Sequence, residues 1–150
     1  ARMVVHLGSP GGFHPVDITT LRALCVDRFP GSPQRRKLME RLEDVVAQLR
    51  EAEVGGEVWV GGSFMTKDPS PRDLDIALIA PVSVCDAPTP EQERVLVNIQ
   101  ERQYQDCDSY LLALCPKGHP HYRPEVIEDF KKKYGRFRNG RPRGIAVLQP

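Results

Sequence analysis

The chain has 150 residues, of which 40% are hydrophobic, and this is the size and composition of one ordinary globular domain. Its 21 lysines and arginines balance 20 aspartates and glutamates, so the net charge of +1 gives no global reason to bind nucleic acid or an anionic membrane. The apolar runs are far shorter than the ~20 residues of a membrane span, and we expect a soluble protein without membrane partners.

Cysteine usage indicates the compartment. The four cysteines are Cys25, Cys85, Cys107 and Cys115, and no pair has the spacing of a disulfide framework. A chain of this length has enough core to fold without disulfides. We therefore expect reduced thiols and a cytoplasmic location.

The first half of the chain alternates between segments rich in glycine and proline and segments with periodic apolar residues. Glycine and proline are dense at the start, which predicts an irregular arm over about residues 1–16. Apolar residues at helical spacing predict a helix over 17–29 and a second, capped by serine and proline, over 32–53. A β-branched strand over 57–60 then runs into the glycine turn at 61–63.

The second half continues the alternation. It is predicted to hold a strand over 74–80, a helix starting at 89, a strand over 109–114, a basic helix over 125–134, a candidate edge strand over 144–148 and a basic tail over about 135–150. This order predicts an α/β (α+β) fold in which one mixed β-sheet is flanked by helices within a single domain.

Acidic residues stand where two predicted strands begin. Asp73 and Asp75 lie two residues apart at the start of an apolar strand, and residues at that spacing point to the same face. Two such carboxylates can share a divalent cation, because Mg²⁺ prefers carboxylate and phosphate oxygens. Asp108, at the start of the next strand, is the candidate third ligand, and Asp106 is its rival.

The glycine turn complements the acids. Gly61 and Gly62 lack Cβ atoms, so a phosphate could approach the backbone N–H groups closely, and the Ser63 hydroxyl adds a donor. Catalysis by such a site rests mostly on positioning and on electrostatic stabilisation of developing charge. Glycines, acids and a metal are the residue types that this chemistry needs.

Two segments, 59–66 and 71–79, carry a family resemblance. Gly62-Ser63-Phe64-Met65-Thr66 followed by Pro71-Arg72-Asp73-Leu74-Asp75 resembles the Gly-Ser … Asp-x-Asp signature of the DNA polymerase beta-like nucleotidyltransferases, in particular a bacterial branch of small members. The resemblance implies a nucleotidyltransferase-type fold and transfer of a nucleoside monophosphate from an NTP to a hydroxyl acceptor, with Mg²⁺ or Mn²⁺.

The resemblance also implies roles for individual residues. Asp73, Asp75 and Asp108 would be the catalytic, metal-binding carboxylates. The nucleotide would be bound by Gly61, Gly62, Ser63, Lys67 and Arg72.

The chain departs from the family pattern after the glycine turn. Pro69 and Pro71 discourage the short helix that follows Gly-Ser in minimal members, which implies a reshaped nucleotide pocket. Acceptor-binding domains of larger members are absent from this sequence, so the acceptor, whether small molecule, protein or RNA, and the oligomeric state stay open. A non-catalytic binding protein, antitoxin-like or regulatory, is the main alternative.

A third possibility is an RNA-modifying toxin that holds RNA with the basic segment 131–143. The simpler interpretation, that this segment is only a solvated helix face and a flexible tail, is favoured. Trp59 and Phe64 could stack on a base, although Trp59 in a short strand is more often a core residue. Cys115, His119 and His121 lie in a proline-rich loop and lack zinc-site spacing.

Overall fold

One five-stranded sheet organises the chain in a computed structural model that describes residues 11–150. The strands are β1 (Gly12–Pro15), β2 (Glu57–Gly61), β3 (Leu74–Pro81), β4 (Cys107–Leu114) and β5 (Gly144–Leu148). The helices are α1 (Ile18–Arg22), continued by a π-helical segment (Ala23–Asp27), α2 (Pro33–Glu51), a 3₁₀ turn (Ser63–Met65), α3 (Val82–Asp86), α4 (Pro90–Gln100) and α5 (Pro124–Tyr134).

The sheet is mixed, with strand order β1-β5-β2-β3-β4. β2 is antiparallel to its neighbours β3 and β5, whereas β1 pairs with β5 and β3 pairs with β4 in parallel. Four strands therefore run in one direction and β2 runs against them. The prediction of a mixed sheet flanked by helices is confirmed.

The two faces of the sheet bury different clusters. Alternate residues of β3, such as Leu74 and Ile76, join the larger cluster formed with α1, α2 and α4. On the opposite face Ala77 and Ile79 pack with Trp59 of β2 and with Tyr134 of α5. Trp59 is 4% exposed, so its prediction as a core residue is confirmed.

Capping residues set the starts of the two longer central helices. The Ser32 hydroxyl accepts a hydrogen bond from the Arg35 amide at 3.1 Å, and Pro33 occupies the first turn of α2. Thr89 and Gln92 form a reciprocal capping box at the start of α4. Both starts agree with the sequence prediction.

Three predictions near the chain ends are wrong. Part of the predicted irregular arm, Gly12–Pro15, is an edge strand that pairs with one side of β5. Pro15 has no backbone N–H to donate, and this is tolerated on an edge strand. β5 is an interior strand between β1 and β2, with all of its residues buried. Residues 135–150 are therefore a loop and a strand rather than a flexible tail; residues 1–10 of the arm lie outside the described residues.

Smaller differences concern element bounds. β4 begins at Cys107, two residues before its predicted start, and Val82–Asp86 form a helical turn too short to give a periodic pattern. The first predicted helix changes to π-helical hydrogen bonding at Ala23. Within residues 11–150, no helix is both long and apolar enough to cross a membrane. All four cysteines are free thiols.

Candidate functional site

Three predicted site residues form one row across the middle of the sheet. Asp75 of β3 is the register partner of Gly61 on one side and of Asp108 on the other. Gly61 lies two residues from Trp59, and Asp108 two residues from Tyr110, so the row faces the same side of the sheet as α5. The structure thus brings the glycine turn and two of the predicted carboxylates together.

The packing around the row requires a glycine at position 62 and leaves little room for a side chain at position 61. Gly62 has a φ of +72°, and a Cβ there would lie 2.8 Å from the Cβ of Asp75. A Cβ on Gly61 would lie 2.9 Å from Cδ1 of Ile145 and 3.2 Å from Nη2 of Arg143. The missing side chains were expected to make room for an approaching phosphate, whereas protein atoms already use part of that space.

Asp75 is a largely buried carboxylate with two protein partners. Its Oδ2 lies 3.7 Å from Nη2 of Arg143, and the Tyr134 hydroxyl donates to its Oδ1 at 3.4 Å and to its backbone carbonyl at 2.9 Å. Burial raises the pKa of Asp75 from 3.8 to about 6; Arg143 lowers the pKa, and the nearby charges of Asp108 and Asp73 raise it. The fold thus holds a carboxyl group that titrates close to neutral pH.

Arg143 is fixed beside Asp75 by α5. Its Nε donates to the carbonyl of Tyr134 at 2.6 Å, and its guanidinium lies 4.9 Å from the centre of the Tyr134 ring. The side chain is 14% exposed, unlike the exposed arginines around it. Sequence reasoning counted Arg143 only as one member of the basic C-terminal segment, and its place directly before a buried strand was the available signal.

Asp108 and Asp106 point to different surroundings. Oδ1 of Asp108 lies 3.2 Å from Nε of Arg102 in an ion pair, and its Oδ2 accepts from the Tyr110 hydroxyl at 3.1 Å, on the face of the row. Asp106 has a φ of +57° and pairs with Lys37 of α2 at 3.0 Å. The left-handed residue breaks the strand alternation, so the two rivals for the third position do not share one site.

The other predicted site residues surround the row. Asp73 and Arg72 are exposed in the segment before β3, and Asp73 is close enough to raise the pKa of Asp75. Ser63 opens the 3₁₀ turn, where its carbonyl accepts from Thr66. Lys67 is exposed on the irregular loop that follows, as the prolines there predicted.

A buried arginine that sequence reasoning missed holds this loop. The guanidinium of Arg35, on α2, donates to the carbonyls of Cys25 and Phe64 at 3.0 and 2.8 Å, and to those of Thr66 and Asp68 at 2.5 and 2.6 Å. Arg35 is 0% exposed, and burial lowers its pKa. Its position three residues before Leu38, on the apolar stripe of α2, was the signal for its burial.

The two carboxylates of the row are the ligand type that a hard cation prefers, but both are already paired with arginines. Carboxylate oxygens are the ligands that Mg²⁺ takes, and a cation would relieve both the burial of the Asp75 charge and its repulsion by Asp108. In residues 11–150, however, no group of three or more acidic, histidine or cysteine side chains is placed to hold a metal. Arg143 and Arg102 balance the two carboxylates instead.

The fold and this row define a small mixed α/β protein with a carboxylate site beside a glycine turn. The chain belongs to a family of unknown function, DUF6932, whose model matches residues 7–149. No curated protein and no solved structure matches the chain significantly.

Proposed function

We propose that this protein is a metal-dependent nucleotidyltransferase that moves a nucleoside monophosphate from an NTP to a hydroxyl acceptor. The observation that carries the proposal is the row in which Gly61, Asp75 and Asp108 are register partners on three adjacent strands. It sets a tight glycine turn directly beside two carboxylates. The resemblance of residues 59–66 and 71–79 to nucleotidyltransferases supports the same reading.

Asp75 and Asp108, with Asp73 joining from the exposed segment before β3, would hold the Mg²⁺ or Mn²⁺. The ion would supply charge neutralisation for the phosphates and activation of the acceptor hydroxyl. Because Arg143 and Arg102 already pair with these carboxylates, loading requires the two guanidiniums to give up their contacts.

Protein groups would supply the remaining interactions. The Ser63 hydroxyl makes no hydrogen bond within the described residues and is half-buried beside the turn, so it is free to donate to a phosphate. Once released from Asp75, Arg143 would offer a guanidinium to phosphate oxygens, for which its planar donors are suited. Lys67 and Arg72 are exposed on the two arms of the loop before β3 and would add positive charge.

The free thiols suit a cytoplasmic protein.

Calorimetry with a non-hydrolysable ATP or GTP analogue tests the proposal. We expect Mg²⁺ to add binding to wild type over the same titration in EDTA, and this added binding to be lost in Asp75→Asn. Asp129→Asn is the matched control, because Asp129 is an exposed acid on α5, and it should bind as wild type does. Binding by Asp75→Asn that equals wild type would refute the site.

A second candidate function is a non-catalytic binding protein, antitoxin-like or regulatory. The pairing of Asp75 with Arg143 and of Asp108 with Arg102 favours it, because these ion pairs balance the carboxylates without a metal. It predicts that Mg²⁺ adds nothing to nucleotide binding and that the nucleotide is not consumed. Incubation with α-labelled NTPs and candidate acceptors separates the two functions.

A further inference from the structure

A basic pocket lies between the loop after the glycine turn and the loop after α5. It has a volume of about 820 Å³, within the usual range for small-ligand sites. The residues that line it are Thr66, Lys67, Asp68, Phe137, Arg138, Asn139 and Arg141. We call it the basic pocket.

The charge of the pocket is local and uncompensated. Lys67, Arg138 and Arg141 are exposed, and within residues 11–150 none of them pairs with a carboxylate. The single acid in the lining, Asp68, accepts the amide of Ser70 at 2.8 Å. Three cations face one acid here, although the whole chain is almost neutral.

Both walls of the pocket are built from fixed backbone. One is held from beneath by Arg35, whose buried guanidinium donates to the carbonyls of Thr66 and Asp68. The other is a tight turn, in which the Phe137 amide donates to the Arg141 carbonyl at 2.8 Å. The Asn139 side chain accepts from the Arg141 amide at 3.0 Å, which closes the turn further. The cationic side chains thus project from a preorganised frame.

An aromatic ring gives the pocket a second kind of surface. Phe137 is half-buried, and in the described part of the chain it packs with neither hydrophobic cluster of the sheet. An aromatic face beside arginines suits a base stacked on the ring with its phosphate on the cations. A purely anionic ligand such as inorganic phosphate would not stack on the ring.

We infer that the basic pocket binds a nucleotide, with phosphate on Lys67, Arg138 and Arg141 and the base on Phe137, either free or as part of a single-stranded RNA. This goes beyond the proposed function because it needs no metal and none of the three aspartates. Both walls of the pocket lie close in sequence to the candidate functional site, since Thr66 is three residues from Ser63 and Arg141 is two residues from Arg143.

The test measures binding in EDTA of two fluorescent probes, ADP and an oligoadenylate of roughly eight nucleotides. We expect Arg138→Gln/Arg141→Gln to weaken binding at least tenfold and to lower the salt dependence of the oligoadenylate by about two phosphate contacts. The control Arg50→Gln/Arg94→Gln removes the same charge from exposed helix positions and should bind as wild type does. Equal binding of both probes identifies a free nucleotide as ligand, and binding of the oligoadenylate alone identifies RNA.

A second variant tests the aromatic contact. Phe137→Leu should weaken ADP binding about fivefold or more and leave binding of inorganic pyrophosphate unchanged, because only ADP carries a base. The inference is overturned if neither probe binds, if the pocket and control pairs behave alike, or if Phe137→Leu affects both ligands equally. Asp75→Asn should retain this metal-independent binding, so the pocket and the carboxylate site can fail separately.

Discussion

Asp75→Asn should make the protein more stable at neutral pH while it removes metal-dependent nucleotide binding. Burial raises the pKa of Asp75 from 3.8 to about 6, so the folded state disfavours the charged form that neutral pH imposes. One pKa unit corresponds to about 1.4 kcal/mol, and the charged carboxylate therefore costs about 3 kcal/mol of unfolding free energy. Asparagine resembles the neutral acid in shape and avoids this cost.

The sign of the pH dependence follows from the raised pKa. Well below pH 3.8 the carboxyl is protonated in both the folded and the unfolded states, and Asp75 contributes no penalty. As the pH rises to about 6, the unfolded state loses its proton first, and the folded state loses stability relative to it. The difference between Asp75→Asn and wild type should grow across this window and be constant above about pH 7.

Urea unfolding of both proteins between pH 4 and 8 measures this difference, because the carboxylates that lie far from Asp75 are common to both and cancel. Asp129→Asn is the matched control: Asp129 is an exposed acid on α5, and its substitution should leave stability nearly unchanged. A difference that is flat with pH, or a variant less stable than wild type at pH 7.5, would refute this reasoning about Asp75.

Two further predictions concern residues that shape the site. Arg35→Met should lower the unfolding free energy by about 4 kcal/mol, because it strips hydrogen bonds from four backbone carbonyls at about 1 kcal/mol each. Urea unfolding should show a much smaller loss for the exposed neighbour Arg36→Met, and equal losses would contradict the role of the guanidinium. Gly62→Ala should cost about 3 kcal/mol from left-handed strain and from the clash with Asp75. Thermal melting of Gly140→Ala, which shares the positive φ but has open space around it, isolates the strain, and equal effects of the two would exclude the clash.

Local patterns were sufficient for most of the fold. The apolar stripe of α2, the capping residues Thr89 and Gln92 and the unbroken apolar run of β3 each specify one element from neighbouring residues alone. The edge strand Gly12–Pro15 could not be found in this way. Its strand conformation comes from pairing with β5, about 130 residues away, and its own sequence favours a loop.

Local sequence patterns likewise predicted one part of the candidate site, and tertiary packing determines the other part. Sequence spacing placed Asp75 and Asp108 near the starts of two strands, and the parallel register then made them partners. The position of Arg143 directly before β5 indicates burial but not its partner, because only the packing of α5 against the sheet places it next to Asp75. Gly62 was recognised as important, but the side chain that fills its surroundings was not predictable before the register was known.

The strand order sets a condition on biosynthesis. β5 lies between β1 and β2, so the first described strand has no partner in the sheet until residues 144–148 have left the ribosome. Contacts that span nearly the whole described chain carry a large loop-closure cost and slow folding. Arg143, at the start of β5, reaches Asp75 at the same late stage. A nascent chain that lacks β5 would therefore expose Asp75 without its guanidinium partner, whereas Asp108 and its partner Arg102 are already present in it.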